Sequence, residues 1–221
     1  MTLETGALLA AAVMMILGTY YFRRKKTDRV RALACKAAAT AMPGLLLLWS
    51  IAEGSRLSAG SAWALAAILF YMTADVLLES KFVLGAAAFG IGHICMTAGF
   101  LAERMDGAVL LTAAGFLCLF MGAAYLALHQ YFQRLKAKKL YAPAVLYIFL
   151  LNTMAGCAAA YGILEGGWKG AAAVAGGVCF AVSDLLLGQN RLGQKRSIRK
   201  GAVVLILYYL AVYLFAISRI W

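Results

Sequence analysis

Ser58-Ala59-Gly60-Ser61-Ala62-Trp63-Ala64-Leu65-Ala66-Ala67-Ile68-Leu69-Phe70-Tyr71-Met72-Thr73-Ala74-Asp75-Val76-Leu77-Leu78 is an apolar run in which Asp75 is the one charged residue. As a helix rising 1.5 Å per residue it spans about 30 Å, the thickness of a bilayer's hydrocarbon core. Strict alternation of apolar and polar residues, the mark of a barrel strand, is missing, so the run predicts a transmembrane helix. A carboxylate within such a helix is costly in lipid and is expected to face a polar interior.

The rest of the chain repeats this pattern. Of 221 residues, 64% are hydrophobic and 14% charged, and the mean hydropathy is +0.83. A soluble domain carries roughly a quarter charged residues, so the composition predicts an all-α polytopic membrane protein. Eight spans are expected, over 5–22, 32–52, 58–78, 82–101, 108–130, 141–164, 168–187 and 201–219. The connectors between them are short, which leaves a single transmembrane domain over 1–221 and assigns any chemistry to helices and short loops. The first span has no basic leader and is followed by its basic cluster, so it is not expected to be a cleavable signal peptide.

The net charge of +12 is distributed unevenly. Segments 23–31, 79–81, 134–139 and 191–200 hold sixteen basic residues, all on one side of the predicted topology. Arg56, Arg104, Lys169 and Arg219 lie on the other side, and Lys36 lies within the second span. This positive-inside bias predicts both termini outside the cytoplasm, in the plasma (inner) membrane if the chain is bacterial. A basic cytoplasmic face beside anionic lipid explains the charge, and no nucleic-acid motif accompanies it. No nucleic-acid partner is expected and the sequence names no protein partner; membrane lipid is an expected partner.

A second short pattern matches the first. Thr73-Ala74-Asp75-Val76-Leu77-Leu78 and Val182-Ser183-Asp184-Leu185-Leu186-Leu187 each put an aspartate, preceded by a small residue and followed by three aliphatic ones, near the end of an apolar span and before a basic loop. Positions 75 and 184 are 109 residues apart, about half the chain. Both spans run from outside to inside, which suggests two parallel four-helix repeats and one acidic centre. Two neighbouring carboxyl groups titrate apart, giving one protonated acid and one ionised base at neutral pH.

His93, in Gly92-His93-Ile94, is either an interhelical hydrogen-bonding group or a site residue. Lys36 follows a basic loop and either snorkels to the surface, balances the aspartates or holds a lipid phosphate. Asn152, Tyr147, Tyr208 and Tyr209 are polar groups within apolar helices, either interhelical glue or support for the site. Glu79 lies one turn beyond Asp75, where solvation is expected, so Glu79→Gln serves as a control. Five cysteines in apolar spans, with no CxxC, read as small buried hydrophobes. With two histidines in the chain a three-histidine zinc site is excluded, and no HxxxH spacing supports a mixed site of His93, Asp75 and Asp184. No metal or cofactor is expected.

The run from Tyr71 to Leu78, then Phe82, Gly85, Phe89 and Gly92-His93, resembles the YhhN-like family. Ser183-Asp184-Leu185-Leu186, the basic loop and Tyr208-Tyr209 resemble its second block, and Lys36 and Tyr147 match its lysine and tyrosine. Ala74, Ala37 and Val212 stand where the family often has Gly, Pro and Gln. The resemblance implies lysoplasmalogenase activity, the hydrolysis of the vinyl-ether bond of an alkenyl lysophospholipid to a fatty aldehyde and a glycerophospho-base. It implies Asp75 and Asp184 as catalytic residues, with Lys36, His93, Tyr147, Tyr208 and Tyr209 binding substrate or supporting them; Asn152, a mid-span amide, is added to that supporting set from its own position. Both Asp→Asn variants are expected to fold and to lose turnover. The alternatives are a proton-coupled small-molecule or lipid transporter and a non-catalytic lipid-binding membrane protein.

Overall fold

A computed structural model describes residues 2–193 and 195–220; Met1, Gln194 and Trp221, which the expected 1–221 domain includes, lie outside the described residues. Among those described there are nine α-helices and no strand. They are α1 (Leu3–Arg24), α2 (Arg29–Ala52), α3 (Ala59–Ser80), α4 (Phe82–Glu103), α5 (Gly107–Leu128), α6 (Phe132–Ala137), α7 (Tyr141–Glu165), α8 (Gly167–Leu192) and α9 (Ile198–Ile217). A single 3₁₀ turn, His129–Tyr131, joins α5 to α6. Counting α5 through α6 as one segment, Gly107–Ala137, eight segments are long and apolar enough to cross a membrane.

The helix starts follow from local chemistry. Thr2, Asp28, Ser58 and Asp106 each accept a backbone N–H from the first turn, at Thr5, Arg31, Ser61 and Val109, which satisfies donors a helix leaves unpaired. Asp106 lies outside the spans, and the Val109 N–H, with help from Arg104, holds its carboxyl below the usual range. Between α7 and α8 the chain reverses through Gly166 and Gly167, with φ of +71° and +59°. These left-handed conformations strain any residue with a Cβ.

Two segments expected as loops are partly helical. Basic segment 134–139 falls largely in α6, where Phe132 and Leu135 repeat one turn apart and Leu135 is buried. The seventh span runs on to Leu192, because Gln189 donates to the Ala127 carbonyl and Asn190 binds both Ser197 backbone groups. Polar side chains that read as the end of a span therefore continue it when neighbours bind them.

The chain divides into two compact units, Met1–Glu103 with Val212–Trp221, and Arg104–Ala211. In the first, α1 packs on α2, α2 on α3, and α3 most extensively on α4. Close approach of α3 and α4 depends on Gly85 and Gly92. A Cβ at Gly85 would meet the Leu78 backbone, and one at Gly92 would enter the Tyr71 ring. The end of α9 is fastened to this unit by Arg219, whose side chain is 1% exposed, pairs with Glu103 at 3.5 Å and lies 4.4 Å above the Phe100 ring.

In the second unit α7 packs on α5 and α8. The contacts are made by small residues: Gly162 faces the Gly170 carbonyl, and Gly156 faces that of Ala113. In lipid, where apolar burial gives little drive for association, close van der Waals packing of small residues is what holds helices together.

Candidate functional site

Tyr71, Asp75 and Glu79 are spaced by four along α3 and so form one face of it, rising toward the helix's C-terminal end. Asp75 is 1% exposed. Its Oδ1 lies 3.0 Å from Lys36 Nζ on α2, and its Oδ2 accepts the Thr40 hydroxyl at 2.5 Å. Lys36 and Thr40 are themselves one turn apart, so one face of α2 presents a cation and a hydroxyl to one carboxylate. Removing either charge alone would leave the other buried and uncompensated, which is the arrangement's main energetic constraint. Lys36 does not snorkel to the surface; it is 5% exposed and balances Asp75.

The next rung toward the basic face is Glu79. Its Oε1 accepts the Tyr21 hydroxyl from α1 at 2.8 Å, and its backbone carbonyl accepts from Arg29 at 2.6 Å. Glu79 is half-buried rather than freely solvated. The Tyr21 ring centroid lies 5.2 Å from Lys36 Nζ. Glu79, Tyr21, Lys36, Asp75 and Thr40 are thus contiguous.

On the other side of Asp75 along α3, the Tyr71 hydroxyl is 3.1 Å from His93 Nδ1, and both residues are fully buried. Phe89 lies against both rings, with centroids at 5.6 and 6.4 Å. Gly92 leaves the space that the Tyr71 ring occupies. The Gly-His dipeptide therefore serves the packing of Tyr71 as well as the placement of the imidazole. His129 is exposed, with Nδ1 3.0 Å from the Leu126 carbonyl.

In the second unit Asp184 is half-buried and its Oδ2 accepts the Tyr147 hydroxyl of α7. Ser183, fully buried, donates to the Val204 carbonyl of α9 at 2.9 Å. Ala74 and Ser183 are both fully buried, which explains the small residue before each aspartate as a packing requirement. Asn152 donates to Met121 Sδ at 3.3 Å and so works as a tie between α7 and α5. Tyr208 packs edge-on against Phe180, with Tyr209 beside it, and both phenols are buried.

Tyr21, Thr40 and Tyr71 are the contacts that sequence reasoning passed over as site residues. For Thr40 and Tyr71 the available signal was the four-residue spacing 36–40 and 71–75, which puts them on shared faces with Lys36 and Asp75; Tyr21, on α1, carried no such signal. Among the described residues no three His, Cys, Asp or Glu side chains gather as metal ligands.

These features define a class: an all-α, multi-pass membrane protein with a buried, hydroxyl-bonded ion pair between two of its helices. The chain belongs to the YhhN family, which it matches over residues 33–219. That stretch contains every candidate residue singled out from the sequence; Tyr21 lies before it. No curated protein and no solved structure matches the chain.

Proposed function

We propose that this protein is a membrane hydrolase that cleaves the vinyl-ether bond of alkenyl lysophospholipids, a lysoplasmalogenase. Family membership supports the reading, and the observation that carries it within the molecule is the Asp75 carboxylate buried against Lys36 and Thr40.

The chemistry asks for few groups. A proton added to the β-carbon of R–CH=CH–O–R′ gives R–CH₂–CH=O⁺–R′. Water adds to this oxocarbenium ion, loses a proton, and the hemiacetal collapses to R–CH₂–CHO and HO–R′. One water is consumed and no electrons are exchanged. The electronic demand parallels glycoside hydrolysis, in which one carboxyl group donates a proton and another steadies the cation or orients water. Asp75 already faces an ammonium group, so it suits the ionised role of orienting water and accepting its proton. The sequence repeat nominates Asp184 for the proton donor. A single-chain amphiphile reaches such groups sideways from the inner leaflet, with its headgroup at the basic face and its chain among apolar helices.

The test is mass spectrometry of purified protein in detergent with alkenyl, acyl and alkyl lysolipids. Release of a fatty aldehyde from the alkenyl lipid alone is the expected result. Unchanged lipid throughout would favour a carrier or a lipid-binding protein, and release of fatty acid from the acyl lipid would make the chain an ordinary esterase.

A further inference from the structure

We infer that Tyr21 and Glu79 form a positioning device for the Lys36–Asp75 pair, and that the first helix is therefore a working part of the site. The kinetic half of this inference rests on the hydrolase reading; the structural half does not.

Lys36 carries four rotatable side-chain bonds, and an ammonium group on such a stem is placed only by what surrounds it. Three contacts do so. The Asp75 carboxylate holds Nζ at 3.0 Å, and the Asp75 backbone carbonyl lies at 3.5 Å. The Tyr21 ring centroid lies 5.2 Å away, within the distance at which a ring's negative face attracts a cation. Tyr21 is 4% exposed, and its own orientation is fixed at the far end, where the hydroxyl donates to Glu79 at 2.8 Å. Donating that proton to a carboxylate moves electron density into the ring and strengthens its hold on the ammonium group. Glu79 is anchored in turn by Arg29, bound to its carbonyl at 2.6 Å. The chain of contacts runs from the basic face inward, Arg29 to Glu79 to Tyr21 to Lys36 to Asp75, and uses α1, α2 and α3. Lys25 also lies 5.4 Å from the Tyr21 ring, but it is exposed, so the ring's buried cation is Lys36. Tyr21 precedes the family match at residue 33, and no site residue read from the sequence lies on α1.

The experiment uses the full chain in detergent as wild type, Tyr21→Leu, Tyr21→Phe and Glu79→Gln, each shown to be monodisperse. Amine acetylation at each lysine is followed by peptide mass spectrometry, alongside kcat and KM on an alkenyl lysolipid. Exposed Lys138, in the other unit, is the internal reference and should react equally in all four. Tyr21→Leu should raise the rate of Lys36 acetylation by roughly five- to thirtyfold, the upper part of the range for cation–π contacts, where desolvated pairs fall. Tyr21→Phe and Glu79→Gln, which keep the ring but lose its tether, should raise it by about two- to tenfold. In the same variants kcat should fall in the same order with KM changed by less than about twofold, the sign of an interaction that matters in the transition state. Wild-type Lys36 reactivity in Tyr21→Leu would overturn the inference whatever turnover does. Raised reactivity with unchanged kcat would overturn the kinetic half. A wild-type chain that hydrolyses no alkenyl lipid sinks the hydrolase reading instead, and the acetylation series then decides the placement of Lys36 alone.

Discussion

Lys36 Nζ lies 3.0 Å from Asp75 Oδ1, with side-chain exposures of 7% and 1%. The two groups are therefore each other's main compensation for leaving water. Breaking a buried pair by removing one partner costs about 3–5 kcal/mol, whereas replacing both with apolar groups of similar size is often neutral. Lys36→Met is expected to lower the midpoint of detergent unfolding by that order, and Lys36→Met with Asp75→Leu to recover most of it. A double variant no more stable than either single one would mean the pair is not the dominant interaction. Asp75→Asn, expected from sequence to leave folding intact, also strands Lys36, so its turnover has to be normalised to folded protein.

The glycines of α4 make a second stability statement. Gly92→Ala and Gly85→Ala place a Cβ into the Tyr71 ring and against the Leu78 backbone, and overpacking of this kind costs about 1–3 kcal/mol. Gly115→Ala, with nothing within 4 Å, should stay within about 0.5 kcal/mol of wild type or gain slightly. Thermal unfolding of the three side by side checks the contrast; equal effects would contradict the α3–α4 packing.

Most of the fold was legible in the sequence because an apolar run long enough to span a bilayer admits few conformations. The run 58–78 predicts α3 to within two residues at either end. What escaped were the partners. Asp75, Lys36 and His93 are conspicuous as polar groups in apolar runs, and Lys36 balancing the aspartates was one of three readings; choosing it, like pairing His93 with Tyr71, requires knowing which helix faces pack together. Tyr21 was invisible for a different reason: a phenol in an apolar helix has the same composition whether it packs or holds a charge. Phe132–Ala137 was missed as helix because its basic residues read as a loop, although Phe132 and Leu135 carry the helical period.

The sixteen-to-four division of basic residues predicts a topology with both termini outside. In oriented membranes a cysteine at Ser55, in the α2–α3 connection, should react with an impermeant maleimide added outside, and one at Lys138 only after permeabilisation. The reverse pattern would place both termini in the cytoplasm.

Metal dependence is a further point of decision. Two histidines and no ligand spacing give a divalent ion little to bind, so turnover is expected to survive EDTA and dialysis. Loss of turnover that zinc or magnesium restores would replace the carboxylate scheme with a metal-assisted one.

The central claim is protonation of a vinyl-ether carbon by a carboxyl group, and hydrolysis in D₂O tests it most directly. A solvent deuteron delivered to the β-carbon ends on the carbon next to the aldehyde, where prompt reduction to the alcohol traps it. The product from wild-type protein should be one mass unit heavier than the product formed in H₂O. Asp75→Asn and Asp184→Asn should each release it about 10²–10⁴-fold more slowly per folded molecule, and on the proposed scheme, in which both serve one transition state, the double variant should be scarcely slower than either. Aldehyde released without the added deuteron, or released at a wild-type rate by either variant, would contradict the account.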